Sequence, residues 1–508
     1  MLFSSYKFVF IFLPIILLAF ALGRMLSARA AVVVLATASL YFYAAWKHAY
    51  VLLLLGSILL NFSLGLLASR HDRRRTIVIA GVILNLLLLG YFKYATFLAD
   101  NFNLLAGTDL KFEKIVLPIG ISFFTFQQIA YLVDVERNAP VERNPVNFTL
   151  FVTFFPHLIA GPLVHHAEMI PQFKRTELKR FSVLAARGAA IAVAGLFKKV
   201  VLADSFAQFA SPAFQHVDGG GTISSFWAWT ATLAYALQIY FDFSGYSDMA
   251  TGLALMFGIR LPINFRSPYK ACSIIDFWRR WHITLSRFLR DYLYIPLGGN
   301  RAGSLRRYAN LMITMLLGGL WHGASWTFVA WGAVHGACLV ANQLWRGARI
   351  NMPRLNEALS RVPKPLRVAV SWGATFSVVL ASWVLFRAAT MQGALSMLSA
   401  MLGISRPATT TLFVPSASIR FADLPWSLSV DSFAAVAATA VGLGLAITIT
   451  LPSTMDLFRY REYRSPPLAK RGRWQWRPTG WWALGVATAL SLSIFGMWQH
   501  LEFLYFQF

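Results

Sequence analysis

Ionisable side chains within apolar segments are where chemistry can be argued, because a membrane interior holds them only against protein or a wet cavity. His322 sits between Trp321 and Gly323 in an apolar stretch that also carries His335. His282 follows Arg279-Arg280-Trp281, and His157 lies within Phe154-Phe155-Pro156-His157-Leu158. Asp242, Ser244, Tyr246, Ser247 and Asp248 cluster just after the apolar run 226–241. An imidazole has an ordinary pKa of about 6.5, and burial keeps it neutral. It can then take a proton from a hydroxyl, which accelerates transfer roughly 100- to 10,000-fold. Each histidine has a plainer alternative, a hydrogen-bonded tie between helices worth about 0.6 kcal/mol in lipid. Asp242 and Asp248 likewise suit a structural polar network as well as chemistry. His165-His166 are expected in a solvated loop. No His-Glu-x-x-His or Cys/His spacing occurs, so no metal site is expected. The two cysteines, Cys272 and Cys338, give no disulfide framework and read as packing residues.

The elements that hold these residues are apolar helices. Runs at 6–23, 30–46, 48–68, 76–92, 115–133, 184–203, 226–241, 368–386, 432–451 and 480–498 approach the length a bilayer requires. A hydrocarbon core of roughly 30 Å takes about 20 residues of helix. Two further stretches, 148–164 and 308–344, are interrupted by Gly, Pro and His. The second, as one helix, would reach roughly 56 Å, nearly twice that thickness. Gly318-Gly319 and Gly323 around His322 predict a broken helix or hairpin with the histidine at the break. The fold class expected is an all-α polytopic membrane protein of about ten to twelve spans with re-entrant or interfacial helices. Four regions are expected: N-terminal helices at 1–110, a core at 111–345, C-terminal helices with a basic loop at 346–479, and a last helix with an aromatic tail at 480–508.

Composition agrees. Of the 508 residues, 57% are hydrophobic and 13% charged, too few charges to cover a soluble surface. The net charge of +25 resides in loops, which marks cytoplasmic segments and excludes a basic nucleic-acid-binding domain. Basic loops also attract anionic membrane lipids and anionic acyl donors. Arg70 to Arg75, the stretch 262–307 and the stretch 459–477 are therefore placed in the cytoplasm. In 262–307, Phe277, Trp278, Trp281, Phe288, Tyr292 and Tyr294 interleave with arginines, as in helices lying in or dipping through an interface. Only Lys7 precedes the first apolar run while Arg24 and Arg29 follow it, the reverse of a secretory signal. That order puts the N-terminus outside.

Several long motifs occur in order between Ile115 and Cys338. They are Leu117-Pro118-Ile119-Gly120-Ile121-Ser122-Phe123-Phe124, Phe154-Phe155-Pro156-His157-Leu158-Ile159-Ala160-Gly161-Pro162, and Gln238-Ile239-Tyr240-Phe241-Asp242-Phe243-Ser244-Gly245-Tyr246-Ser247-Asp248. Phe277-Trp278-Arg279-Arg280-Trp281-His282 and Gly318-Gly319-Leu320-Trp321-His322-Gly323 complete the set. Together they resemble the membrane-bound O-acyltransferase family, in its alginate O-acetylation branch. The resemblance implies that His322 is the catalytic histidine and His282 the second important one. It also implies acetylation of an exported polysaccharide such as alginate, in a bacterial inner membrane, with a separate periplasmic acetyltransferase as partner.

On that reading His322 is the base at the narrow point of a channel, and His282 orients donor or acceptor. Arg279 and Arg280, with Trp321, Asp242, Ser244, Tyr246 and Asp248, line the channel or its polar network. No bound cofactor is expected; the donor is acetyl-coenzyme A or an acyl carrier protein thioester. No glycine-rich phosphate cradle is present, so arginines would have to attract its phosphates. The last helix leads outward to His500-Leu501-Glu502-Phe503-Leu504-Tyr505-Phe506-Gln507-Phe508. Phe503, Tyr505 and Phe508 resemble the aromatic tail of a small subunit in teichoic-acid D-alanylation. The resemblance implies that Tyr505 can carry the acyl group; the alternative is an aromatic interface anchor. D-alanylation machinery and a transporter without acyl transfer are the competing functions, the latter because broken helices and midplane polar groups suit transport too.

Overall fold

The computed structural model describes residues 1–110, 115–174, 181–301, 303–404, 413, 418–421, 424–427, 429–463, 475–497 and 504. Among them, six helices are long and apolar enough to cross a membrane: Lys7–Leu26, Ala49–Arg70, Arg74–Ala106, Phe181–Asp218, Lys364–Arg387 and Asp431–Thr450. Ala28–Ala44 and Gly480–Gly496 are shorter apolar helices. The chain is a multi-pass helical membrane protein, and among the described residues its one sheet is a small hairpin, Ser418–Phe421 against Leu424–Ser427. The run expected at 115–133 forms the 16-residue helix Ile121–Glu136, largely buried. The run at 226–241 belongs to a 32-residue helix, Ser225–Met256. Interrupted by Pro156, the stretch 148–164 folds as two short helices, Pro145–Thr153 and Phe155–Leu158. Of the basic stretch 459–477, residues 464–474 lie outside the described residues.

The chain forms two compact units, one of Met1–Phe197, Gly245–Ile263 and Thr454–Met497, the other of Lys198–Ser244, Asn264–Ser453 and Trp498–Phe508. In the first unit, Asn61 and Asn85 exchange amide hydrogen bonds of 3.2 and 2.7 Å. Each amide thus satisfies the other, which removes the desolvation cost of burying both. A cluster of phenylalanines surrounds Phe155, with Phe12 edge-on at 5.4 Å and Phe257 at 5.9 Å. His166 departs from its expected place in a solvated loop. It is 3% exposed, with Nε2 3.2 Å from the Pro140 carbonyl and Nδ1 3.5 Å from Asp134.

The second unit is built around a helical hairpin, Gly303–His322 and Trp326–Asn351, broken at 323–325 as the glycines predict. The Ser325 hydroxyl caps the second helix by accepting from the Thr327 N–H. Close approach requires two glycines. A Cβ on Gly319 would lie 2.2 Å from the Phe328 carbonyl oxygen, and one on Gly332 would lie 2.3 Å from that of Met315. Small residues at facing positions let membrane helices pack backbone to backbone. The stretch 264–294 folds as short helical pieces, Pro268–Lys270, Ile274–Trp278, Ile283–Leu289 and Arg290–Tyr294. Phe277, Trp278, Trp281 and Phe288 are buried in this unit.

Candidate active site

His322 is the last residue of the first hairpin helix, so the break fixes its backbone. Its ring is 4% exposed and enclosed by aromatics: Trp321 at 4.9 Å, Trp331 at 5.1 Å and Phe386 at 5.1 Å between centroids. The His282 ring lies 6.5 Å away, and its other neighbours are Phe243 at 4.7 Å and Trp321 at 6.1 Å. Forty residues apart in sequence, the two histidines that the motifs single out thus share one aromatic enclosure.

Backbone strain marks His282. Its φ is +42°, a left-handed conformation that costs a non-glycine residue about 1–3 kcal/mol. The strain is held by Asn264, whose side-chain oxygen lies 3.0 Å from His282 Nδ1. The same oxygen accepts from the Thr284 N–H at 3.3 Å and the Thr284 hydroxyl at 2.9 Å. A backbone N–H can only donate, so this atom is the amide oxygen and His282 Nδ1 carries its proton. In the neutral ring the basic lone pair is therefore on Nε2. His282 lies outside the six apolar spans, and its burial lowers the imidazole pKa to about 3. The ring is neutral at physiological pH.

The other histidines have structural partners. His335 Nε2 is 3.0 Å from the Ser382 hydroxyl, with Trp331 and Trp278 packed on the ring. In the first unit, His157 Nδ1 accepts from the Gln127 amide at 3.0 Å.

The cluster at 242–248 is divided along its helix. Asp242 and Ser244 belong to the second unit; Tyr246 and Asp248 belong to the first. Lys199 Nζ lies 2.5 Å from Asp204 and 3.2 Å from Asp242, and Lys198 Nζ donates to the Ser244 hydroxyl at 3.2 Å. Tyr246 stacks on Phe3 at 4.9 Å, and Asp248 is buried. Arg280 pairs with Asp276 at 2.8 Å. Arg279 is exposed and lines a cavity of about 660 Å³ together with Arg346, Arg349 and Trp345. Cys272, expected as a packing residue, is exposed beside it. Tyr505 lies outside the described residues; the residue before it, Leu504, is buried.

Sequence reasoning missed Asn264 and Lys199. Asn264 stands between Ile263 and Phe265, where an amide in an apolar context is the one available signal. Lys199 follows Lys198 at the end of an apolar run and reads as an interface residue. No group of three metal-ligating side chains occurs among the described residues.

The fold and these residues define a multi-pass membrane protein that encloses a pair of histidines, one of them neutral and fixed in tautomer by an amide. Residues 135–376 match the model of the membrane-bound O-acyltransferase family. The peptidoglycan O-acetyltransferase of Helicobacter pylori is 43% identical over 444 residues, 80% of each chain. The protein named "Probable alginate O-acetylase AlgI" in Azotobacter vinelandii is 44% identical over 412 residues, 79% of this chain and 78% of its own. A teichoic acid D-alanyltransferase of Streptococcus thermophilus is 28% identical over 53% of this chain and 68% of its own. The chain belongs to the membrane-bound O-acyltransferase family. It is an O-acyltransferase.

Proposed function

We propose that the protein takes an acetyl group from a cytoplasmic thioester and delivers it for O-acetylation of an exported polysaccharide such as alginate. The enclosure of His282 beside His322 carries this reading. A hydroxyl nucleophile must lose its proton as it attacks a thioester carbonyl, and a neutral, desolvated imidazole accepts that proton without prior deprotonation. His322 is the base, and His282, with its lone pair held on Nε2, orients the donor or acceptor. Relatives named for alginate and for peptidoglycan both match about four-fifths of the chain at over 40% identity, which supports acetyl transfer to a cell-surface polymer. The D-alanyltransferase likeness is shorter and weaker, which favours acetyl over D-alanyl. Nothing among the described contacts favours a transporter.

The donor is acetyl-coenzyme A or an acyl carrier thioester. The cavity lined by Arg279, Arg346 and Arg349 suits its phosphates, since guanidinium forks bind phosphate bidentately. Tyr505 receives the acyl group: its oxygen attacks the thioester carbonyl, its proton passes to His322, the carbon–sulfur bond breaks, and His322 returns the proton to the sulfur, which leaves as the thiol. The tyrosyl ester then supplies a periplasmic transferase that acts on the polymer. Both termini face outward in an inner membrane, and the basic loops face the cytoplasm. Incubating the purified protein with labelled acetyl-coenzyme A tests the reading. Label on Tyr505, lost in Tyr505→Phe, is expected; transfer to polymer at the wild-type rate by Tyr505→Phe would remove the relay.

A further inference from the structure

Acyl transfer by two histidines does not require three charges buried together, yet the second unit contains them. Lys199, Asp204 and Asp242 have side chains 4%, 7% and 2% exposed. Lys199 bridges the two carboxylates, with Nζ 3.2 Å from Asp242 Oδ1. Asp242 Oδ2 accepts a 3.1 Å hydrogen bond from the Leu504 backbone N–H, 262 residues away in the chain. Leu504 is itself 5% exposed. Removing one partner from a buried ionic group leaves the remainder uncompensated, which is far more costly than losing a surface pair. The cluster therefore grips the chain at Leu504 through a backbone group that no change of side chain removes, save proline.

We propose that Lys199, Asp204 and Asp242 form an anchor that holds the chain at Leu504, the residue before the proposed acyl carrier Tyr505. The positioning role rests on the reading of Tyr505 as acyl carrier; the anchor itself does not. Lys199 does two things in it. It neutralises one of the two carboxylates, and by engaging Oδ1 it turns Oδ2 of Asp242 toward the tail. The Leu504 N–H then satisfies the second oxygen. Asp242 is thereby a positioning residue and takes no part in proton transfer.

The test is thiol accessibility in the full-length protein. Leu504→Cys is introduced after Cys272→Ser and Cys338→Ala remove the native thiols, and maleimide labelling is timed in detergent. Protection is expected in this parent. Asp242→Asn or Lys199→Met should speed labelling about tenfold or more, as local opening of the tail becomes favourable. Labelling at the parent rate in folded protein carrying either change overturns the anchor. If those variants fail to fold, Leu504→Pro deletes the donor and leaves the cluster intact. It should speed limited proteolysis of the chain at residue 504 at an unchanged melting temperature, and cleavage there at the parent rate would overturn the anchor equally. The two readings separate cleanly. Full activity of Tyr505→Phe with a tail released by Asp242→Asn keeps the anchor and discards the relay. An inactive Tyr505→Phe with a tail still protected in Asp242→Asn does the reverse.

Discussion

At the scale of single residues, the site depends on imidazoles whose state is set by their neighbours. His322→Ala should lower acyl transfer by about 100- to 10,000-fold, the usual worth of a positioned base, while the protein still inserts and purifies normally. Asn264→Ala should act through His282. It removes the acceptor that keeps the Nδ1 proton in place, so kcat should fall about tenfold or more with KM little changed. Equal kcat in the variant and wild type, read from initial rates, would reduce Asn264 to a packing residue. His282 also predicts a pH dependence. Its folded pKa of about 3 is below the ordinary value of about 6.5. Its contribution to stability is therefore full above the unfolded pKa and is lost as pH falls through the window toward the folded one, by at most about 1.4 kcal/mol per pH unit. His282→Gln should flatten the fall in melting temperature between neutral and mildly acidic pH. The types and motif contexts of His282 and His322 were legible in the chain. Their proximity was not, because it depends on how a broken hairpin and four short helical pieces pack. Asn264 was illegible for the same reason, since its role exists only once His282 is placed.

Among the elements, the hairpin of Gly303–His322 and Trp326–Asn351 positions His322, the proposed base. Its break was readable from glycines around His322 and from a length no straight span accommodates. What sequence did not reveal is that Gly319 and Gly332 set the helix separation. Gly319→Ala would place a methyl against the Phe328 carbonyl, a backbone atom that cannot swing aside. The hairpin would have to spread, at about 1–3 kcal/mol for such overpacking. A lower melting temperature and reduced activity together are expected; Gly347→Ala, where nothing lies near a new Cβ, should change neither. The stretch 262–307 taught the opposite lesson. Its alternation of arginine and aromatic residues reads as helices lying in or dipping through an interface. In the structure Phe277, Trp278, Trp281 and Phe288 pack inward in short segments, Tyr292 and Tyr294 are half-buried, and Arg279 is exposed at a cavity. Composition identifies such a segment as amphipathic but does not say whether its apolar side meets lipid or protein.

For the whole molecule, charge in the loops predicts sidedness. The turn between Arg70 and Arg74 should resist an impermeant thiol reagent on intact cells when a cysteine replaces Asp72, and should label after permeabilisation. The membrane class and family were legible because apolar length and long ordered motifs are local properties of the chain. The division of residues 242–248 between two compact units, and the buried lysine facing Asp242, were not local and so could not be read from sequence. The account depends most on His322 moving a proton during transfer from a thioester. Single-turnover mixing of the purified protein with radiolabelled acetyl-coenzyme A, comparing wild type with His322→Ala, measures this directly. Rapid formation of an acetylated protein in the wild type and its loss in the folded variant are predicted. Acetylation of both at the same rate would contradict the assignment of His322 as the base.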